Sequence, residues 1–245
     1  MEAWCVHRSD PHCPPPTRAR ASPRTRLSRR SSSLRHVPRL VLTLFSSPNA
    51  STHVAHEQVL GADSRVSTGT YIANRVSDKV AALHDSIFMC RSGSAADTQA
   101  ISDYVRYWLA SHAVDLNRPP TVKTAATLAR KLCYENKDAL MAGVIVGGWD
   151  PIEGASVYVL PLGGTLMKLP FAVGGSGSTY IYGHVDSEYK PGMTREECQQ
   201  FVRKAISHAM ARDGSSGGII RLVTVDANGT DREYIPGDKL PYMPV

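Results

Sequence analysis

Five stretches of this 245-residue chain set short polar side chains among glycines: Gly61-Ala-Asp63-Ser-Arg65, Asp78-Lys79, Arg91-Ser-Gly93-Ser-Ala95, Gly175-Ser176-Gly177 and Arg212-Asp213-Gly-Ser-Ser216-Gly-Gly218. Carboxylates, ammonium groups and hydroxyls are the materials of proton transfer and nucleophilic attack, and glycine lets a backbone approach closely. Singly, each stretch also reads as a turn or a helix cap. Two other patterns imitate better-known chemistry. Gly174-Gly-Ser-Gly-Ser178 looks like a phosphate loop, but no Lys-Ser/Thr follows it. His53-Val-Ala-His56-Glu57 has zinc-binding residue types in the wrong order, since the protease motif is His-Glu-x-x-His. No metal or cofactor is expected.

The elements that must position these groups are legible from residue 59 onward. Ser94-Ala-Ala-Asp97 caps a helix whose apolar residues Ile101, Val105, Trp108 and Leu109 recur at helical spacing to about His112. A second helix, from about Val122 to Glu135, places Ala125, Leu128, Ala129 and Leu132 on one face. Strand-like runs follow at Met141–Gly147, Ser156–Pro161 and Phe171–Gly174, divided by glycine-containing turns. Thr194-Arg-Glu-Glu197 is a capping box, and the stripe Cys198, Phe201, Val202, Ala205, Ile206, Ala209 runs to Asp213-Gly214. Ile219–Val225 is a last strong strand. This order predicts a sheet-rich α+β layered domain rather than alternating βαβ units.

Charge divides the chain. Nine of the 28 cationic residues and two of the 22 acids fall in residues 1–40, a net +7 out of +6 for the whole. The remainder, near neutral, offers no basic track for nucleic acid. No apolar run approaches the ~18 residues of a membrane span, so neither nucleic acid nor membrane is an expected partner. Five widely spaced cysteines (5, 13, 90, 133 and 198) read as reduced core thiols, not a disulfide framework. Residues 1–46, rich in Arg, Pro and Ser, are expected to form a disordered leader, and residues 47–245 the folded domain. Val41–Phe45 is short apolar material suited to a strand or segment. The leader fits a cleaved propeptide, an organellar transit sequence or a mispredicted start.

Taken together and in order, the glycine-set blocks resemble the β subunits of the 20S proteasome, and within them the β1, caspase-like type. Leu60-Gly-Ala-Asp-Ser-Arg65, Thr70-Tyr-Ile-Ala-Asn-Arg75, Cys90-Arg-Ser-Gly-Ser-Ala-Ala-Asp-Thr-Gln99, Asp138-Ala-Leu-Met-Ala-Gly143, Gly148-Trp-Asp150 and the 212–218 block carry the resemblance. It implies an N-terminal-nucleophile hydrolase fold, a four-layer αββα sandwich. It also implies a place beside other α and β subunits in stacked seven-membered rings, in cytoplasm and nucleus, acting on unfolded polypeptides in ubiquitin-linked degradation. The implied chemistry is that of a threonine-type endopeptidase cleaving after acidic residues. A terminal Thr hydroxyl attacks the peptide carbonyl, and its free α-amine serves as base. By the same resemblance Asp63 and Lys79 form a buried ion pair beside the nucleophile, and Ser176, Asp213 and Ser216 surround the amine. Gly93 supplies the oxyanion-hole N–H, and Arg91 lies at the base of the substrate pocket.

One departure stands out. The family's Gly-Thr-Thr is missing upstream, and counting back sixteen residues from Asp63 reaches Ser47, followed by Pro48. Nor does Asn49–Gln58 alternate as a first core strand would. The nucleophile is therefore unassigned, and two alternatives stay open. One is a non-catalytic structural subunit of the β ring. The other is a simpler self-compartmentalising protease of bacterial or mitochondrial type, which the Arg91 block disfavours.

Overall fold

The computed structural model describes residues 57–242 and, as backbone, residues 41–45. The described elements run β1 (Val41–Phe45), β2 (Glu57–Ala62), β3 (Val66–Thr68), β4 (Tyr71–Asn74), β5 (Val80–His84), β6 (Ile87–Gly93), α1 (Ala95–Leu116) and α2 (Val122–Glu135). They continue β7 (Ala142–Asp150), β8 (Gly154–Leu160), β9 (Met167–Lys168), β10 (Phe171–Gly174), α3 (Ser178–Glu188), α4 (Arg195–Arg212), β11 (Ile220–Asp226) and β12 (Gly229–Ile235). One sheet has the order β10-β1-β2-β11-β12 and the other β5-β6-β7-β8-β9, with β3 and β4 a separate hairpin. Every pairing is antiparallel.

Strand periodicity builds three apolar layers from these two sheets. Along β2, Val59 faces α4, whereas Leu60 and Ala62 face the other sheet. Along β6, Ile87 and Met89 face α1 and α2, whereas Phe88 and Cys90 face inward. The same alternation separates Ile220 and Leu222 from Val223 and Val225, because successive strand side chains point to opposite faces. Helices α3 and α4 thus cover one sheet, α1 and α2 cover the other, and the sheets pack face to face. The result is the αββα sandwich that the resemblance implied.

The helix starts follow their caps. Ser94 accepts the Asp97 N–H at α1 and Thr121 the Thr124 N–H at α2. Thr194 and Glu197 form the reciprocal capping box of α4. Asp150 ties layers together, since one carboxylate oxygen accepts the first N–H of α2, from Val122, while the other accepts from Ile152 and Glu153 in the β7–β8 turn. Cys90, Cys133 and Cys198 are buried in the core, as expected; Cys5 and Cys13 lie outside the described residues.

Four features depart from the sequence reading. Trp108 is 54% exposed, so the apolar part of the buried stripe of α1 is Ile101, Val105 and Leu109, joined by Thr98 and Ser102. Helix α3 went unread because its start has no side-chain cap and only Ser178, Ile181 and Val185 are buried along eleven residues. Strand β12 went unread because six of its seven residues are exposed, which leaves no alternation to see. Finally, the sheet takes its first strand from Val41–Phe45, before the boundary expected at residue 46, paired on one side with β2 and on the other with β10. Of Asn49–Gln58, the described residues Glu57 and Gln58 open β2.

Close strand approach at Gly148 gives a stability test. A Cβ there would lie 2.2 Å from the Ser86 carbonyl oxygen and 2.9 Å from Ile87 Cα, so backbone must move. Gly148→Ala is expected to cost about 1–3 kcal/mol in denaturant unfolding. Gly183, inside α3 with open space around it, is the opposite case. Gly183→Ala is expected to gain about 0.5–1 kcal/mol.

Candidate active site

The expected site residues come together at one end of the sandwich, where the loops after β2, β4, β10 and α4 converge. Asp63 follows directly on β2 and is fully buried, as is Lys79 at the entry to β5. Their side chains form a hydrogen-bonded ion pair. The other Asp63 oxygen accepts the N–H of Gly217 at 2.9 Å and of Arg65 at 3.1 Å. Burial pushes the Asp63 carboxyl up from its ordinary range, and the Lys79 ammonium and these two N–H groups pull against that rise.

Asp213 is the C-cap of α4 and holds the second cluster. Its Oδ2 accepts the Ser176 hydroxyl at 2.6 Å and the Ser216 hydroxyl at 2.5 Å, and Oδ1 accepts the Ser215 N–H at 3.0 Å. Because Ser216 and Gly217 are adjacent, the 213–218 loop joins the two clusters: one residue bonds Asp213 and the next bonds Asp63. Ser64 and Arg65, quoted in the sequence block but given no role there, complete the joint. Ser64 Oγ donates to the Arg75 carbonyl and accepts the Ile219 N–H at 2.9 Å, while Arg65 donates to the Gly214 carbonyl at 2.9 Å. The signal for both was their position inside a polar run at a strand end.

Gly93 closes β6 with φ +98°, and a Cβ would lie 2.4 Å from the Met141 carbonyl oxygen, so only glycine fits. It lines an apolar cleft of about 300 Å³ with Ser92, Met141, Ile145, Val173 and Gly175. Gly175 immediately precedes Ser176. Arg91 is on the same strand but lines a different cavity, a polar one of about 490 Å³ with Ser77, Asp78, Gln99, Asp103 and Arg232. Its Nη2 donates to the Asp78 carbonyl at 2.6 Å, and its backbone N–H to the Lys79 carbonyl at 3.0 Å. The guanidinium of Arg91 therefore contacts the residue immediately before Lys79. Burial pulls its pKa down, with Asp78 and Asp103 pulling back, and it stays a cation at neutral pH.

The profile of the proteasome subunit family matches residues 53–225. The chain belongs to the proteasome β-subunit family. A proteasome subunit beta type-6 of Dictyostelium discoideum is 60% identical over 183 residues, 75% of this chain and 86% of that protein. A proteasome subunit beta type-6 of Arabidopsis thaliana is 56% identical over 182 residues, covering 74% and 78%. A proteasome subunit beta type-9 of Mus spicilegus is 54% identical over 183 residues, covering 75% and 83%. As a β subunit of the 20S core, the chain assembles with other proteasome subunits.

Ser47, the counted nucleophile position, lies outside the described residues. In this β subunit the Val41 end of β1 pairs with Ala62, next to Asp63, whereas the Phe45 end pairs with Gln58.

The buried pair yields a test with a defined sign. Lys79→Met leaves the Asp63 carboxylate without its counter-charge and is expected to cost about 3–5 kcal/mol at neutral pH. Asp63's folded pKa, already above its ordinary 3.8, rises further in that variant, so the folded state binds the proton more tightly than the unfolded. Stability then increases as pH falls through the raised pKa toward 3.8. The gap between Lys79→Met and wild type should narrow from pH 7 to pH 4 in urea unfolding; a constant gap would exclude Asp63 as the uncompensated charge.

Proposed function

We propose that this β subunit is of the β1 type, a threonine-type endopeptidase that cleaves after acidic residues inside the 20S core. The observation that carries the reading is Arg91 in a polar cavity next to the Asp63–Lys79 pair, with Gly93 two residues along the same strand. An extended substrate laid along the end of β6 would place its carbonyl at the Gly93 N–H and its acidic side chain toward Arg91. The Lys79 ammonium favours loss of the proton from a hydroxyl beside it. Asp213, Ser176 and Ser216 form a hydrogen-bonded set able to orient a free amine as the base, while the positive charge of Lys79 favours the neutral form of that amine. The oxyanion that forms is met by a backbone donor on a rigid strand end, which needs no reorganisation during reaction.

The second reading, a non-catalytic ring subunit, is favoured by one observation. No glycine precedes Gly61, so no Gly-Thr pair exists upstream for self-cleavage to expose. A purely structural subunit, however, has no need of a fully buried Lys–Asp pair bonded to a loop that also carries Asp213.

The test uses the assembled particle. Arg91→Ala is expected to reduce post-Glu and post-Asp cleavage about ten- to hundredfold, the equivalent of roughly 1.5–3 kcal/mol for a charge-assisted pair kept in the transition state. Unchanged post-acidic cleavage would overturn the pocket assignment. N-terminal sequencing of this subunit from the particle identifies the nucleophile: a mature chain that starts at Thr or Ser supports the peptidase, and an unprocessed chain with full particle assembly supports the structural reading.

A further inference from the structure

Arg232 stands on β12, in the sheet opposite the one that carries Arg91. Its Nη2 donates to the Val80 carbonyl at 2.7 Å, its Nη1 lies 3.5 Å from Asp78 Oδ2, and its guanidinium carbon sits 5.5 Å from the centre of the Phe88 ring. Two of these contacts grip the residues on either side of Lys79. Asp78 is itself locked, because its Oδ1 accepts the Val80 N–H at 2.9 Å while its carbonyl accepts Arg91 Nη2. The half-exposed ion pair would contribute little alone. What makes the contact directional is the planar fork of the guanidinium, which meets a carbonyl and a carboxylate at once on the face of a ring. Arg221, on neighbouring β11, donates to the Val76 carbonyl at 3.1 Å, so the second sheet holds this segment at two points.

We infer that Arg232 is a positioning residue for the Arg91 cavity: it fixes the Asp78 carbonyl that orients the Arg91 guanidinium, and acts on acidic side chains through Arg91 rather than by touching them. This rests on the cavity's being the acid-binding pocket. Arg232 also lines that cavity, so direct contact is the rival role, and the two make different predictions in combination with Arg91→Ala.

The experiment measures kcat and KM for a peptide with glutamate at the cleavage position, using assembled particles carrying Arg232→Ala, Arg232→Lys, Arg91→Ala or the pair Arg91→Ala/Arg232→Ala. Arg232→Ala should raise KM three- to tenfold, with a smaller change in kcat. Arg232→Lys, able to keep one of the two polar contacts, should fall between it and wild type. In the Arg91→Ala background the loss of Arg232 should add less than twofold. A KM unmoved by Arg232→Ala, or losses that multiply in the double variant, would overturn the inference. Should Arg232→Ala fail to enter particles, Arg232→Lys decides with the same comparison and an expected two- to threefold rise. Post-acidic cleavage unaffected by Arg91→Ala sinks both the pocket and this inference, whereas cleavage lost with Arg91 but indifferent to Arg232 sinks the inference alone.

Discussion

The architecture of the site depends on burying one ion pair completely. A carboxylate and an ammonium removed from water carry a desolvation cost that their attraction offsets only with good geometry and further hydrogen bonds. Asp63 meets that condition with Lys79 and the N–H groups of Gly217 and Arg65. Each partner comes from a different part of the chain. To keep the pair satisfied, the end of β2, the entry to β5 and the loop after α4 must all be in register, and that convergence also brings Ser216 and Asp213 alongside.

Much of the remaining polar structure serves to hold these segments. Ser64 bridges the Arg75 carbonyl and the Ile219 N–H, Arg65 reaches the Gly214 carbonyl, and Asp213 gathers two serine hydroxyls. None of these side chains belongs to an apolar cluster. The three apolar layers give the sandwich its cohesion, and this polar net sets the geometry at one end of it. A change in the core lowers stability broadly, whereas a change in the net shifts the donors and acceptors that meet at this end.

What could be read from sequence follows this division. Helices with a capping residue and a buried stripe, α2 and α4 above all, were legible to within a residue or two because local spacing and core burial agree there. The uncapped α3 and the exposed β12 were not, since neither repeats an apolar pattern. At the site, Asp63, Lys79, Gly93, Ser176, Asp213 and Ser216 were singled out by resemblance, because contact between residues so distant in the chain leaves no local period. Ser64 and Arg65 were signalled by their place in a polar run at a strand end, but their distant partners left their joint roles unassigned for the same reason.

The central position of β2 bears on the timing of folding. Its partner β11 and the loop that completes Asp63 come from the far end of the chain, Asp63 and Gly217 being 154 residues apart. At synthesis rates of about 5–20 residues per second, Asp63 is added to the chain roughly 8–30 s before Gly217. Throughout that interval Val59 and Leu60 have no β11 to pair with, and the carboxylate between Arg65 and Lys79 lacks its third donor. Pairings this distant in sequence are slow to form and leave apolar strand surface open to wrong partners while they wait. A nascent chain of this kind is therefore a natural client for factors that shield unpaired strands, and its polar net closes only once nearly the whole polypeptide has emerged.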